Sequence, residues 1–181
     1  GFKTSWLDST LQFNAAVFMT DYDNKQEDVV LPDPVAVTLT IVQNAAGATM
    51  DGAEFELVWL PTPGLTLNAA LGYLDASYDE YRVLDPAGNI VDKTGFDLRR
   101  APELNYSVGA NWEFQVGESA FLVTNVNYRW LDNYQIQSNS GGPKHYDVDP
   151  TKQPSFGLLD ASINFETEHW RLSLFGKNLT D

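Results

Sequence analysis

Residues 104–114 read LNYSVGANWEF, with large apolar side chains at Leu104, Tyr106, Val108, Ala110, Trp112 and Phe114 and small or polar ones at Asn105, Ser107, Gly109, Asn111 and Glu113. Successive side chains of a strand point to opposite faces, so the segment makes a ribbon with one greasy and one wet face. At roughly 9 to 11 residues, a strand of this kind crosses a bilayer's hydrocarbon when tilted as in a barrel. The same period of two recurs at residues 1–6, 10–22, 35–43 (continuing after a break into 48–60), 65–81, 103–114, 120–131, 156–166 and 169–178. Eight strand-like units follow, with almost no helical signal.

The connections alternate in length. Short ones fall at residues 7–9, 61–64, 115–119 and 167–168, and long polar ones rich in Asp, Gly and Pro at 23–34, 82–102 and 132–155. Short periplasmic turns and long extracellular loops are the habit of an outer-membrane barrel. Alternation alone does not say which face meets lipid, but the polar positions do. They are neutral in mid-strand (Gln12, Asn14, Thr66, Asn68, Asn105, Ser107, Asn111, Asn125, Asn127), whereas a soluble barrel would turn Lys, Glu and Asp to bulk water. The apolar face is therefore assigned to lipid and the Asn-rich face to a hydrated lumen. Trp59, Phe114 and Trp170 lie at short-turn ends of strands and Tyr128 and Trp130 at a loop end, where amphipathic rings form membrane-interface girdles. The expected fold class is all-β, an antiparallel up-and-down transmembrane β-barrel segment.

Composition narrows the function. The 181 residues carry a formal charge of −14 with only 11 Lys and Arg, of which Arg99 and Arg100 are the one adjacent pair, so no phosphate-binding surface and no nucleic-acid partner are expected. Cysteine is absent, which removes disulfides and thiolate metal sites. No run of about 18 apolar residues exists for a membrane helix, and a mean hydropathy of −0.28 is what alternation produces. The chain opens at Gly1-Phe2-Lys3 without the charged and apolar regions of a signal peptide. His145 in a loop and His169 at a turn have no nucleophile in a recognisable arrangement, so no enzyme is expected. Glu54 and Glu56 share one face and are read as structural, paired to Arg or Lys on neighbouring strands. Asp21, Asp23, Asp28 and Asp33, and Asp147 with Asp149, lack EF-hand spacing and are read as solvated loops; no metal site and no cofactor are expected.

Three stretches resemble a known family. LQFNAAVFMTDYDNKQ at residues 11–26, AGATMDGAEFELVWLPTPGLTLNAALGYLDASYDEY at 46–81 and FGLLDASINFETEHWRLSLFGKNLTD at 156–181 are similar to the last third of the barrel of TonB-dependent outer-membrane receptors. The middle stretch, with Gly52, Glu54 and a Pro-Thr-Pro-Gly turn, and the closing GKNLTD carry most of the likeness; residues 82–99 and 135–154 are unmatched. Such receptors are plugged barrels of about 22 strands. The resemblance implies that residues 1–181 are a partial barrel domain without the plug or terminal strand, whose open edges would favour self-association in isolation. It also implies a bacterial outer-membrane location among lipid and lipopolysaccharide. The implied activity is import of a scarce solute, with energy from the TonB complex acting through the plug. Ferric siderophore is the default cargo, although the acidity of the loops suits an anionic complex poorly; cobalamin, nickel chelates and oligosaccharides stay open. Tyr81, Arg82, Tyr134, Gln135 and His145 are the candidate ligand contacts, chosen as aromatic or polar donors at loop mouths. The alternative is a soluble β-barrel or sandwich binding a small hydrophobic ligand.

Overall fold

Tight turns set the register of the sheet in a computed structural model that describes residues 1–33, 37–84, 88–136 and 152–180. The first is built from Leu7, Asp8 and Ser9 in left-handed conformation (φ 53°, 54° and 69°) and closed by Thr10, whose amide and hydroxyl both donate to the Leu7 carbonyl at 3.1 and 2.7 Å. The second reverses at Gly64 (φ 81°), where only glycine avoids strain and where an added Cβ would overlap the Glu113 carbonyl of the adjacent strand. The third turns at Gly117 (φ 71°), and the fourth is closed by Thr167, whose amide donates to the Trp170 carbonyl at 2.9 Å. All four fall where the sequence places short connections.

Between them run β1 (Phe2–Trp6), β2 (Leu11–Asp33), β3 (Val37–Thr62), β4 (Leu65–Leu84), β5 (Ile90–Asp92), β6 (Leu104–Val116), β7 (Ala120–Leu131), β8 (Tyr134–Gln135), β9 (Lys152–Gln153), β10 (Phe156–Thr167) and β11 (Arg171–Gly176). The main sheet has the order β1-β2-β3-β4-β6-β7-β10-β11, every neighbour antiparallel, with β5 paired to the end of β4 and β8 to β9 in a separate ribbon. No helix occurs among the described residues, and the sheet is open, with β1 and β11 at its edges.

Pairing carries the two-faced character across strands. In one row Phe13, Leu57, Ala69 and Val108 lie side by side and continue through Tyr128 and Leu159; in the next, Asn14, Glu56, Ala70 and Ser107 do. The apolar face ends at Met19, Ala53 and Tyr73, beyond which the same face carries Asp21, Asp51 and Asp75. From Leu65 to Tyr73 is the span of one tilted barrel strand, so this change of polarity marks the upper limit of the hydrocarbon-crossing band. With one layer of sheet, no other described residue packs over that face: Val17 is 77% exposed and Leu174 72%.

Three sequence expectations are corrected. Residues 23–33 are not a loop but the upper half of β2, laddered to β3 from Glu27↔Gln43 to Asp33↔Val37. The stretch DNKQEDVVLPD lacks the strict alternation of the lower band, because above the hydrocarbon no lipid fixes one face as apolar, so a period of two does not reveal its pairing. The break read at 44–47 lies within a continuous β3 whose pairing is irregular there: register shifts flank Lys25 on β2, and another falls between Gly47 and Ala48. The last strand is shorter than residues 169–178, because the chain leaves regular pairing after Gly176. It still tracks β10, the Asn178 amide donating to Asp160 Oδ1 at 3.0 Å and the Leu179 amide to the Leu159 carbonyl at 2.8 Å.

Candidate functional site at the mouth

Above the apolar band the inner face acquires a small core of its own. After β4 the chain pairs back as β5, and residues 93–103 descend beside β4. Lys93 donates to the Tyr81 carbonyl at 2.8 Å, Gly95 to that of Tyr78 at 2.7 Å and Leu98 to that of Ala76 at 3.1 Å, and the Leu74 amide donates to the Glu103 carbonyl at 2.8 Å. Half of the predicted 82–102 loop is thus hydrogen-bonded wall. Its Leu98 packs with Ala48, Ala76, Tyr78, Tyr81 and Val83, and Phe96 leans on the same group.

A buried carboxylate sits at one side of this core. Glu27 is completely enclosed, and its Oε1 accepts from the Tyr78 hydroxyl at 2.8 Å and from the Lys25 ammonium. Arg99 Nε lies 3.6 Å from Glu27 Oε2 while Arg99 Nη1 donates to Asp28 Oδ2 at 3.2 Å. The rings of Tyr78 and Tyr81 are 4.5 Å apart, and Lys25 lies over the Tyr78 face. Burial, and then the hydrogen bond to Glu27 and its charge, push the Tyr78 hydroxyl well above its ordinary pKa, so it stays a neutral donor. Lys25 and Arg99 balance Glu27 and Asp28, and a buried charge compensated from several sides orders the groups that supply its partners. The network ties β2, β4 and residues 93–103 into one wall.

Beside that wall opens a cleft of about 410 Å³. Leu74, Ala76 and Ala101 line its apolar part. Asp97, Glu103 and Asp132 bring carboxylates to it, and Tyr134, Gln135 and Lys152 come from the β8–β9 ribbon. The ribbon is anchored by the Arg100 amide, which donates to the Gln135 carbonyl at 2.7 Å; Arg100 adopts φ 55° to do so. Asp132 Oδ1 accepts from the backbone and side-chain nitrogens of Asn133 at 2.7 and 2.9 Å.

The candidate contacts divide. Tyr134 and Gln135 stand together in the cleft wall. Tyr81 is fully buried in the small core, and Arg82 is exposed and pairs with Asp92 at 3.5 Å, so neither joins them. His145 lies outside the described residues. Trp59 and Phe114 are on the apolar face at the short-turn end, near Trp112, and Trp170 is at that end against Phe165 with ring centroids 5.3 Å apart. Tyr128 and Trp130 sit at the other end of the same face, Trp130 stacked on Tyr106 at 5.5 Å. Glu56 does face inward but accepts from Asn14 at 3.1 Å rather than from a cation. Lower on the inner surface, ion pairs among the described residues include Arg129 with Asp160 at 3.5 Å and Arg171 with Glu166 at 2.9 Å. Sequence reasoning missed Glu27, Tyr78, Glu103, Asp132 and Lys152. One signal was available, since Arg99-Arg100 is the only adjacent basic pair in an acidic chain.

The comparisons agree with this architecture. The profile of the TonB dependent receptor-like, beta-barrel family matches residues 1–179. The siderophore receptor PiuA from Acinetobacter baumannii is similar in structure at TM-score 0.70 and 21% identity, covering 99% of this chain and 23% of that one. The ferric-catecholate import receptor Fiu from K12 E. coli is similar at TM-score 0.65 and 17% identity, covering 99% and 22%. The FrpB iron transporter from Neisseria meningitidis is similar at TM-score 0.60 and 14% identity, covering 96% and 25%. The chain thus spans about a quarter of the length of the solved structures it matches. The family comprises outer-membrane transport receptors of Gram-negative bacteria, not enzymes, which displaces the alternative of a soluble barrel. The chain belongs to the TonB-dependent receptor-like β-barrel family.

Proposed function

We propose that this chain is the mouth-and-wall portion of a receptor that binds a ferric siderophore outside the cell and imports it with energy supplied by TonB through a plug domain. The observation that carries the reading is a wall apolar on one face and Asn-rich on the other, crowned by a polar cleft where cargo would arrive. The inner face is built for hydration: an added Cβ at Gly109 would meet Asn68 Oδ1 at 2.7 Å and Asn127 Nδ2 at 3.0 Å, so glycine there lets two amides lie across the sheet. On this reading Trp59, Phe114, Tyr128, Trp130 and Trp170 anchor the barrel at the two membrane interfaces, against lipid and lipopolysaccharide. Tyr134 and Gln135 contact cargo. The test is growth of an iron-starved strain lacking its own receptors, complemented with the receptor that carries this chain. Ferric siderophores should restore growth only when TonB is present; restoration independent of TonB, or no binding of any ferric chelate, refutes the proposal.

A further inference from the structure

Among the described residues the mouth cleft offers a ligand more negative than positive charge, Asp97, Glu103 and Asp132 against Lys152. Glu103 is exposed along it, and Asp132, with Oδ1 occupied by Asn133, has its second oxygen left for a ligand. Lys152 is the single basic residue among the described residues of the lining. An independent observation points the same way: Gln135, in the same lining and only 7% exposed, has an Oε1 with no hydrogen-bond partner among the described residues. A buried acceptor without a donor is a costly arrangement, and a ligand N–H relieves it. The nearby Arg99 is already committed to Glu27 and Asp28 and the Asn133 amide to Asp132, and the neutral donors of Tyr134 and Gln135 carry no charge to offset the carboxylates.

We infer that this cleft takes a cationic, N–H-rich group, an ammonium-bearing arm of the cargo, held by Glu103 and Asp132 with Gln135 Oε1 accepting from a neighbouring N–H. The inference rests on the siderophore reading above and deepens it: the preferred cargo is a ferric chelate of positive charge rather than an anionic one. Lys152 opposes the group and limits its affinity.

The test uses the receptor carrying this chain, at the surface of an iron-starved strain without receptors of its own. The probes are a ferric trihydroxamate with a free ammonium and an anionic ferric tris-catecholate, followed by cell binding and iron uptake. The ammonium-bearing complex should bind more tightly. Glu103→Gln with Asp132→Asn should weaken it about tenfold, as expected for two partly solvated charge pairs, and leave the tris-catecholate unchanged or improved. Lys152→Gln should act in the opposite direction, strengthening the ammonium-bearing complex a few-fold, so the idea stays testable even if the double variant fails to reach the membrane. Preference for the anionic complex, or equal binding of both by all variants, overturns the inference and leaves the import reading intact. Binding of neither complex by receptor present at the surface overturns both.

Discussion

Replacing Tyr78 by Phe removes a single oxygen from the most enclosed part of the wall. That hydroxyl donates 2.8 Å to Oε1 of Glu27, a carboxylate with no exposed surface. Hydrogen bonds to charged groups are worth about 1.5–3 kcal/mol, and a buried acceptor left short of a donor forfeits that range because water cannot replace it. Lys25 and Arg99 still neutralise Glu27, so the barrel should fold and the loss should appear locally. The segment most affected is 93–103, which Arg99 holds to β2 and the Tyr78 backbone to β4. The amides to follow are Gly95, bonded to the Tyr78 carbonyl at 2.7 Å, and Leu98, bonded to that of Ala76 at 3.1 Å. In native-state hydrogen exchange, both should exchange roughly 10- to 150-fold faster in Tyr78→Phe, the equivalent of the lost bond. The Glu113 amide, bonded to Gly64 at the far turn, serves as control and should not change. Exchange at Gly95 and Leu98 within about twofold of the parent would show that the buried network does not hold the segment, and the reasoning would fail.

Other expectations are simpler. Gly64→Ala forces a Cβ into a left-handed turn position and onto the Glu113 carbonyl, and should lower stability by more than about 1 kcal/mol in urea titrations of the receptor in lipid, with Gly117→Ala, which has open space around it, clearly milder. Val126→Arg places a cation in the middle of the apolar face and should cost about 2–4 kcal/mol by the same titration, whereas Asn125→Arg on the inner face should cost little; equal effects would mean that the faces are assigned wrongly. Asp92 accepts from the Thr94 side chain and from its amide at 3.0 Å, which together hold its carboxyl below the usual range. The turn is therefore favoured above the ordinary carboxylate pKa and loses that contribution as pH falls through the lowered one. An NMR titration should find Asp92 shifted down, and Thr94→Val should move it back up.

Reading by period of two was decisive where a strand must satisfy two solvents at once. From Leu65 to Tyr73 and from Leu104 to Phe114, lipid on one side and water on the other leave a mark at every residue, so faces, turns and membrane limits were legible. Above Met19, Ala53 and Tyr73 the alternation fades, and the pairing of residues 23–33 as part of β2 and the continuity of β3 through 44–47 went unrecognised. The candidate site lies almost wholly in that upper region. Tyr134 and Gln135 were found as donors near a loop mouth, but Tyr81 carries the same sequence signal and lies fully enclosed.

By itself the sequence determined an all-β wall, its two faces and its short turns, because each follows from the solvent a side chain meets and from backbone geometry a few residues long. Only the tertiary structure decided which charges meet. Glu27 finds Tyr78 across 51 residues and Asp28 finds Arg99 across 71, and no local pattern records pairings made by strand register and by a segment folding back along its neighbour. The cleft with Glu103, Asp132, Gln135 and Lys152 has the same origin: its walls come from separate connections that meet only once the barrel strands beneath them are aligned.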